Sequence, residues 1–111
     1  MIVTPAANVA GQRAAKTLGI VRGSTIRARH FGKDILAALK GLVGGEIEEY
    51  TKMMAEAREQ ALSRMRTEAE QLGANAITDT RFVTAYVMGA ASEILAYGNA
   101  VILEPISEVD R

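Results

Sequence analysis

The strongest periodicity in the chain is a stripe of Ile47, Tyr50, Met54, Ala57, Ala61, Met65, Ala69 and Leu72, recurring at steps of three or four residues. That spacing predicts a long amphipathic helix from Glu46 to Leu72 with one inward face. Glu46, Glu48 and Glu49 stand in its first turn, where the macrodipole and the unpaired amides favour negative charge. Away from the stripe, Glu48 and Lys52, Arg64 and Glu68, and Arg66 and Glu70 lie at a spacing that supports helical ion pairs, each worth roughly 0.2–0.5 kcal/mol. Gly73 follows as the C-terminal cap, free to take a positive φ.

The other segments are shorter. From Thr17 to Arg29, the apolar residues Leu18, Ile20, Ile26 and Ala28 share one parity, and Thr25, Arg27 and Arg29 share the other. This is the period of two of a half-buried strand with its apolar parity inward, and Gly19 and Gly23 suggest bends or a bulge in it. Phe31, Ile35, Leu39 and Leu42 then fit a short amphipathic helix that Gly44-Gly45 ends. Two further strands are expected at Ala76 to Val87 and Ala91 to Leu103, joined through Met88-Gly89-Ala90 as an antiparallel hairpin. In the last strand Ile94, Ala96, Gly98, Ala100 and Ile102 form a small-residue face on which a helix can pack closely. The alternate positions Leu95, Tyr97, Val101 and Leu103 are also largely apolar. Such a strand needs cover on both sides, yet the chain has helix enough for one side of a three-stranded sheet. A partner subunit is the simplest second cover.

Composition narrows the classes without naming one. At 111 residues the chain suits a single domain spanning 1–111, able to bury roughly 65% of its unfolded surface. Both prolines, Pro5 and Pro105, lie near the ends, and no repeat or linker divides the chain. Thirteen basic residues balance thirteen acidic ones, so no bulk field draws the chain to nucleic acid or an anionic membrane. The absence of Cys excludes a disulfide framework and a thiolate metal site, and fits a reducing compartment. Met1 to Pro5 lack the basic and apolar regions of a secretion signal, and no apolar run approaches the ~18 residues of a membrane span. A cytoplasmic location is expected.

The order strand, helix, helix, strand, strand comes with local motifs. These are Val43-Gly44-Gly45-Glu46-Ile47, Glu49-Tyr50-Thr51, Leu72-Gly73-Ala74-Asn75-Ala76 and Tyr97-Gly98. With these motifs at these separations, nearly the whole chain resembles the YbjQ family, also called UPF0145, which is commonly described as heavy-metal-binding. The resemblance implies an α+β, dodecin-like β-α-β-β subunit: an antiparallel three-stranded sheet, a short and a long helix, and assembly into a ring-shaped homo-pentamer. It also implies that Ile2 to Thr4 pair with a neighbouring subunit. The chain departs from a thiol-based metal protein in having no Cys, and it carries Asn99 where the family's Tyr-Gly-Thr-Ala is expected.

Candidate chemistry is sparse. Soft metals want thiolate, thioether or imidazole, and the stock here is His30 and five methionines, of which Met54 and Met65 lie on the helix's apolar stripe as core fillers. No metal ligands are therefore assigned. Gly41, Gly44 and Gly45 lack the spacing and following Lys of a phosphate loop, and suit a turn between helices. Arg27, Arg29 and Lys33 form a local basic patch read as a solvated strand face. No Ser-His-Asp or Cys-His set is available, so no catalytic residues and no enzyme activity are expected. The residues that stand out are polar groups within apolar strands: Glu93, Tyr97 and, in the facing strand, Arg81. A charge on a covered face needs a partner, either an ion pair at a subunit interface or a ligand. The ligand-binding set is Glu93, Tyr97 and Arg81 with Glu46, Tyr50 and Arg58 from the helix, lining a small-molecule pocket between subunits. The cofactor is unspecified. Dodecins hold flavins between subunits by stacking on Trp, and this chain has no Trp, which disfavours flavin. The expected function is ligand binding or scaffolding, with metal binding or metal response as the alternative.

Overall fold

The computed structural model describes residues 1–27, 44–87 and 91–107. The short helix expected at Phe31 to Leu42, the link at Met88 to Ala90, His30 and the end of the strand expected to reach Arg29 lie outside them. Four strands, β1 (Ile2–Val3), β2 (Gln12–Arg27), β3 (Ala76–Val87) and β4 (Ala91–Pro105), make one sheet in the order β1-β3-β4-β2. One helix, α1 (Gly44–Gln71), is described, and it lies on β2 and β4. It starts two residues earlier than expected, so Gly44 and Gly45 are its first residues.

The inner stripe of α1 follows the sequence pattern closely. Ala57, Ala61, Met65 and Ala69 are fully buried against Val21, Ile77, Ile94, Ala96 and Ala100, with Met54 packed at the margin. Small residues on both sides draw the two backbones together. At Gly23 a side chain has no room, because an added Cβ would collide with the Ala61 carbonyl and the Met65 amide. Beside it, the buried Thr25 hydroxyl donates to the Ala57 carbonyl at 3.1 Å. Leu72, expected to close the stripe, is exposed because the helix has already ended.

The parity of β2 is the reverse of the expectation. Val21, Gly23 and Thr25 face the helix, whereas Ile20 and Ile26 are exposed on the other side. Register shifts in the pairing with β4 fall between Ala14 and Lys16 and between Thr17 and Gly19. Gly19 sits at φ 124°, a conformation that favours glycine. The extra residue at Leu18 lets Leu18 pack against the helix-side core while Ile20, two positions on, points outward.

The helix exit is tied to the sheet by a polar device. Gly73, at φ 87°, closes a Schellman motif in which the Ala74 amide donates to the Ala69 carbonyl and the Gly73 amide to the Glu70 carbonyl, both at 3.0 Å. Asn75 then acts as a ladder rung. Its Oδ1 accepts from the Leu103 amide at 2.7 Å and its Nδ2 donates to the Leu103 carbonyl at 2.9 Å, ahead of the first β3 residue. The helix-side pairs Arg64 with Glu68 and Arg66 with Glu70 are not ion pairs; Arg64 instead donates to the Ser24 carbonyl, binding helix to β2.

The sheet is mixed, with a fourth strand beyond the three expected. Ile2 and Val3 pair in parallel with Ala76 and Ile77 of the same chain. The implied pairing of Ile2 to Thr4 with a neighbouring subunit is thus replaced by an intrachain one. Val9 extends this cover over Ala76, Val101 and Leu103.

Two substitutions test these contacts. Gly23→Ala is expected to lower stability by about 2 kcal/mol, the scale of an overpacked core contact, measured as a lower urea midpoint at unchanged slope. Asn75→Ala leaves both main-chain groups of Leu103 without their partner and is expected to cost about 2 kcal/mol by the same measurement.

Candidate functional site: the uncovered face of the sheet

The face of the sheet opposite α1 carries the candidate site. In the register of the strands Arg22 lies opposite Tyr97, and Tyr97 opposite Arg81, so the three form a row across β2, β4 and β3. Directly opposed residues have Cβ atoms about 5 Å apart and share a face. Next to this row Ile20 opposes Asn99, and Ser24 opposes Leu95, which opposes Val83. One row further, Ile26 opposes Glu93, which opposes Ala85. Ile20 is 72% exposed, Ile26 63% and Val83 45%, while Glu93, Leu95, Tyr97 and Asn99 on the central strand are half-buried. A polar row bordered by uncovered aliphatic side chains is the result.

Local backbone structure places the polar groups. Between Thr78 and Arg81 the β3 register shifts, and Asp79 adopts φ 54° there. Its amide donates to the Ala6 carbonyl at 3.0 Å, and the Thr80 amide to the Thr4 carbonyl at 3.1 Å, so the N-terminal segment holds the bulge. Asn99 answers from β4, its Nδ2 donating to the Asp79 carboxylate at 3.1 Å. Opposite the bulge only glycine fits: a Cβ at Gly98 would stand 2.7 Å from Ile77 Cγ2 and 2.9 Å from the Thr78 carbonyl oxygen. Arg81 turns one nitrogen, Nη1, to the carbonyls of Pro5 and Thr80, each at 2.9 Å.

Of the six residues singled out by sequence, the structure brings Arg81 and Tyr97 side by side and puts Glu93 on the same face, four residues along β4 from Tyr97. Arg58 is exposed on α1, which covers the opposite face. Glu46 and Tyr50 belong to the same helix, and their side chains lie outside the described residues. Arg22 was not legible, because a strand phased on Leu18 and Ile20 turns it inward. The signal that finds it is the small-residue run Val21, Gly23, Thr25, which complements Gly98, Ala96 and Ile94 position for position.

The model of the YbjQ family, whose description reads "Putative heavy-metal-binding", matches residues 1–104. The chain is 59% identical over 104 residues to a UPF0145 protein of Dehalococcoides mccartyi, covering 94% of this chain and 100% of that one. The chain belongs to the YbjQ family, UPF0145. Another UPF0145 protein, from Thermus thermophilus, is 54% identical, covering 98% of this chain and 96% of its own. Among solved structures, a protein of unknown function from the DUF74 family of Pediococcus pentosaceus superposes with a TM-score of 0.62 at 18% identity. That match covers 94% of this chain and 98% of the other, a likeness of fold.

The family description invites a test of the donor set. Met65 is fully buried and Met54 packs at the edge of the same core, so both thioethers are engaged in packing. Asp79 and Asn99 offer oxygens, which suit hard cations better than soft ones. Among the described residues no three His, Asp or Glu side chains gather around a common point. The described residues therefore do not fit a heavy-metal site. Likewise, among the described residues no helix is long and apolar enough to cross a membrane.

Arg81→Ala removes the side-chain clasp on Pro5. The expected outcome is faster hydrogen exchange at the Asp79 and Thr80 amides, with the Ala57 to Ala69 stretch of α1 unchanged, read by exchange mass spectrometry.

Proposed function

We propose that the chain works as a noncatalytic homo-oligomer, a binding or scaffold protein whose small-molecule site lies on the open sheet face where subunits meet. The carrying observation is that face itself, with Ile20, Ile26 and Val83 exposed around Tyr97. Contiguous apolar surface rimmed by polar groups marks interaction sites. The single chain exposes 7252 Å², whereas a compact monomer of its mass exposes about 5,900 Å². The excess exceeds the roughly 800 Å² that each partner buries in a standard interface. Its radius of gyration is 18.0 Å, against about 13 Å for a compact domain of this length.

Edges support the same reading. β1 pairs with only the first residues of β3, and β2 is the opposite outer strand of the sheet. Two outer strands in one subunit suit a head-to-tail ring, in which one edge meets the other and the rotation closes. A dodecin-like pentamer, as the family resemblance implies, is such a ring. Within it Tyr97, Arg81 and Glu93 supply an aromatic surface and charges of both signs for a small polar ligand, and the Cys-free composition suits a cytoplasmic location. The second reading, metal binding, has the family description behind it, with His30 as its imidazole.

Native mass spectrometry with elemental analysis of the same sample decides between them. An assembly of several copies, near five, with a retained organic mass supports the first reading. A stoichiometric metal selects the second, and a monomer at micromolar concentration overturns the assembly.

A further inference from the structure

Two opposite charges stand on the open face without partners among the described residues. Arg22 faces Tyr97 across the ladder, and Glu93 faces Ile26 and Ala85. Four residues of strand separate their rows, about 13 Å at 3.3 Å per residue. Within one chain they form no ion pair, and the pair among the described residues is Arg13 with Glu104. The other charged groups of the face are engaged: Arg81 donates to two carbonyls and Asp79 accepts from Asn99.

We propose that Arg22 of one copy pairs with Glu93 of a neighbouring copy, so that this ion pair sets the register in which copies cover the face. The inference rests on the reading that a second copy is the cover. Two features of the face, and the surface of the whole chain, favour that occupant. The charges are self-complementary, so each subunit carries both halves of the pair. Exposed Ile20 and Ile26 lie beside Arg22 and Glu93 respectively, giving the pair an apolar surround. The surplus surface of the whole chain is of interface size. Covering the face without the pair leaves a desolvated charge unpartnered, which is costly, whereas pairing it across copies removes that cost and rejects misaligned contacts.

The test is a charge exchange. Arg22→Glu, Glu93→Arg and the double variant are compared with wild type by native mass spectrometry and sedimentation in about 0.15 M salt, with circular dichroism to check the fold. The neutral pair Arg22→Gln and Glu93→Gln is run alongside, in case a reversed charge disturbs the sheet. Each single reversal is expected to raise the dissociation constant at least tenfold, the neutral variants to weaken assembly less, and the double reversal to restore it. Single variants that assemble like wild type, or a double variant that stays dissociated, overturn the pair while leaving the oligomer in place. A monomeric wild type overturns the oligomer reading, and the pair with it.

Discussion

At Gly23 the backbone of β2 runs against that of α1 with no side chain between them. Ala57, Ala61 and Ala69 keep the same closeness along the helix, so the core is thin and its large fully buried side chains are few, chiefly Met65, Ile77 and Val21. Burying each large apolar side chain is worth roughly 1.5–3 kcal/mol. A helix that lies so close over β2 and β4 meets β3 in the core chiefly at Ile77. Phe82, on the helix side of β3 opposite Ala96, is left 45% exposed, and the reverse side of the sheet has no helix among the described residues.

Polar contacts compensate where apolar cover is thin. The Schellman turn at Gly73, the Asn75 rung on Leu103 and the Arg64 link to Ser24 all act where helix and sheet join. At the other margin the N-terminal segment is held by main-chain bonds to Asn75, Ile77, Asp79 and Thr80, with Arg81 closing over Pro5. The two ends of β3 are therefore unequal. Its beginning is fastened on both sides, whereas β1 does not extend to the stretch from Arg81 onward.

Long-period features were legible in the sequence because one residue type repeated over many turns. The α1 stripe and the Gly73 stop came from spacing alone, and the two-sided apolar pattern of β4 identified a second apolar face, which the N-terminal segment covers at Val101 and Leu103 and leaves half-open at Leu95 and Tyr97. Short-range exceptions were not legible. The phase of β2 was misread because Leu18 and Ile20 look like one face, and only the extra residue at the Thr17/Gly19 shift separates them. β1, two residues long, has no period to detect, and its place depends on the carbonyls of Asn75 and Ile77, distant in the sequence. At the site, Tyr97 and Arg81 could be paired from hairpin register, whereas Arg22 depended on the misread phase and Arg58 belonged to the far side of the sheet.

The extra residue in β2 also limits how the gene for such a strand can vary. Leu18 has no partner on β4, so the alternation of sides counted along the sequence changes phase there while the pairing from Gly19 onward runs one to one. Losing Leu18 alone would remove the bulge and leave Gly19 opposite Ala100, whereas a single-codon deletion within the regularly paired run from Gly19 to Ile26 would exchange inside for outside on one side of the break. Substitutions along this strand can be tested by selection one position at a time, but away from the unpaired Leu18 length changes of one residue are felt along the paired run. Viable changes in length are therefore confined to the unpaired position, to paired insertions or to segments outside the strand, and the residue count of the paired run is as much a part of its specification as the residues themselves.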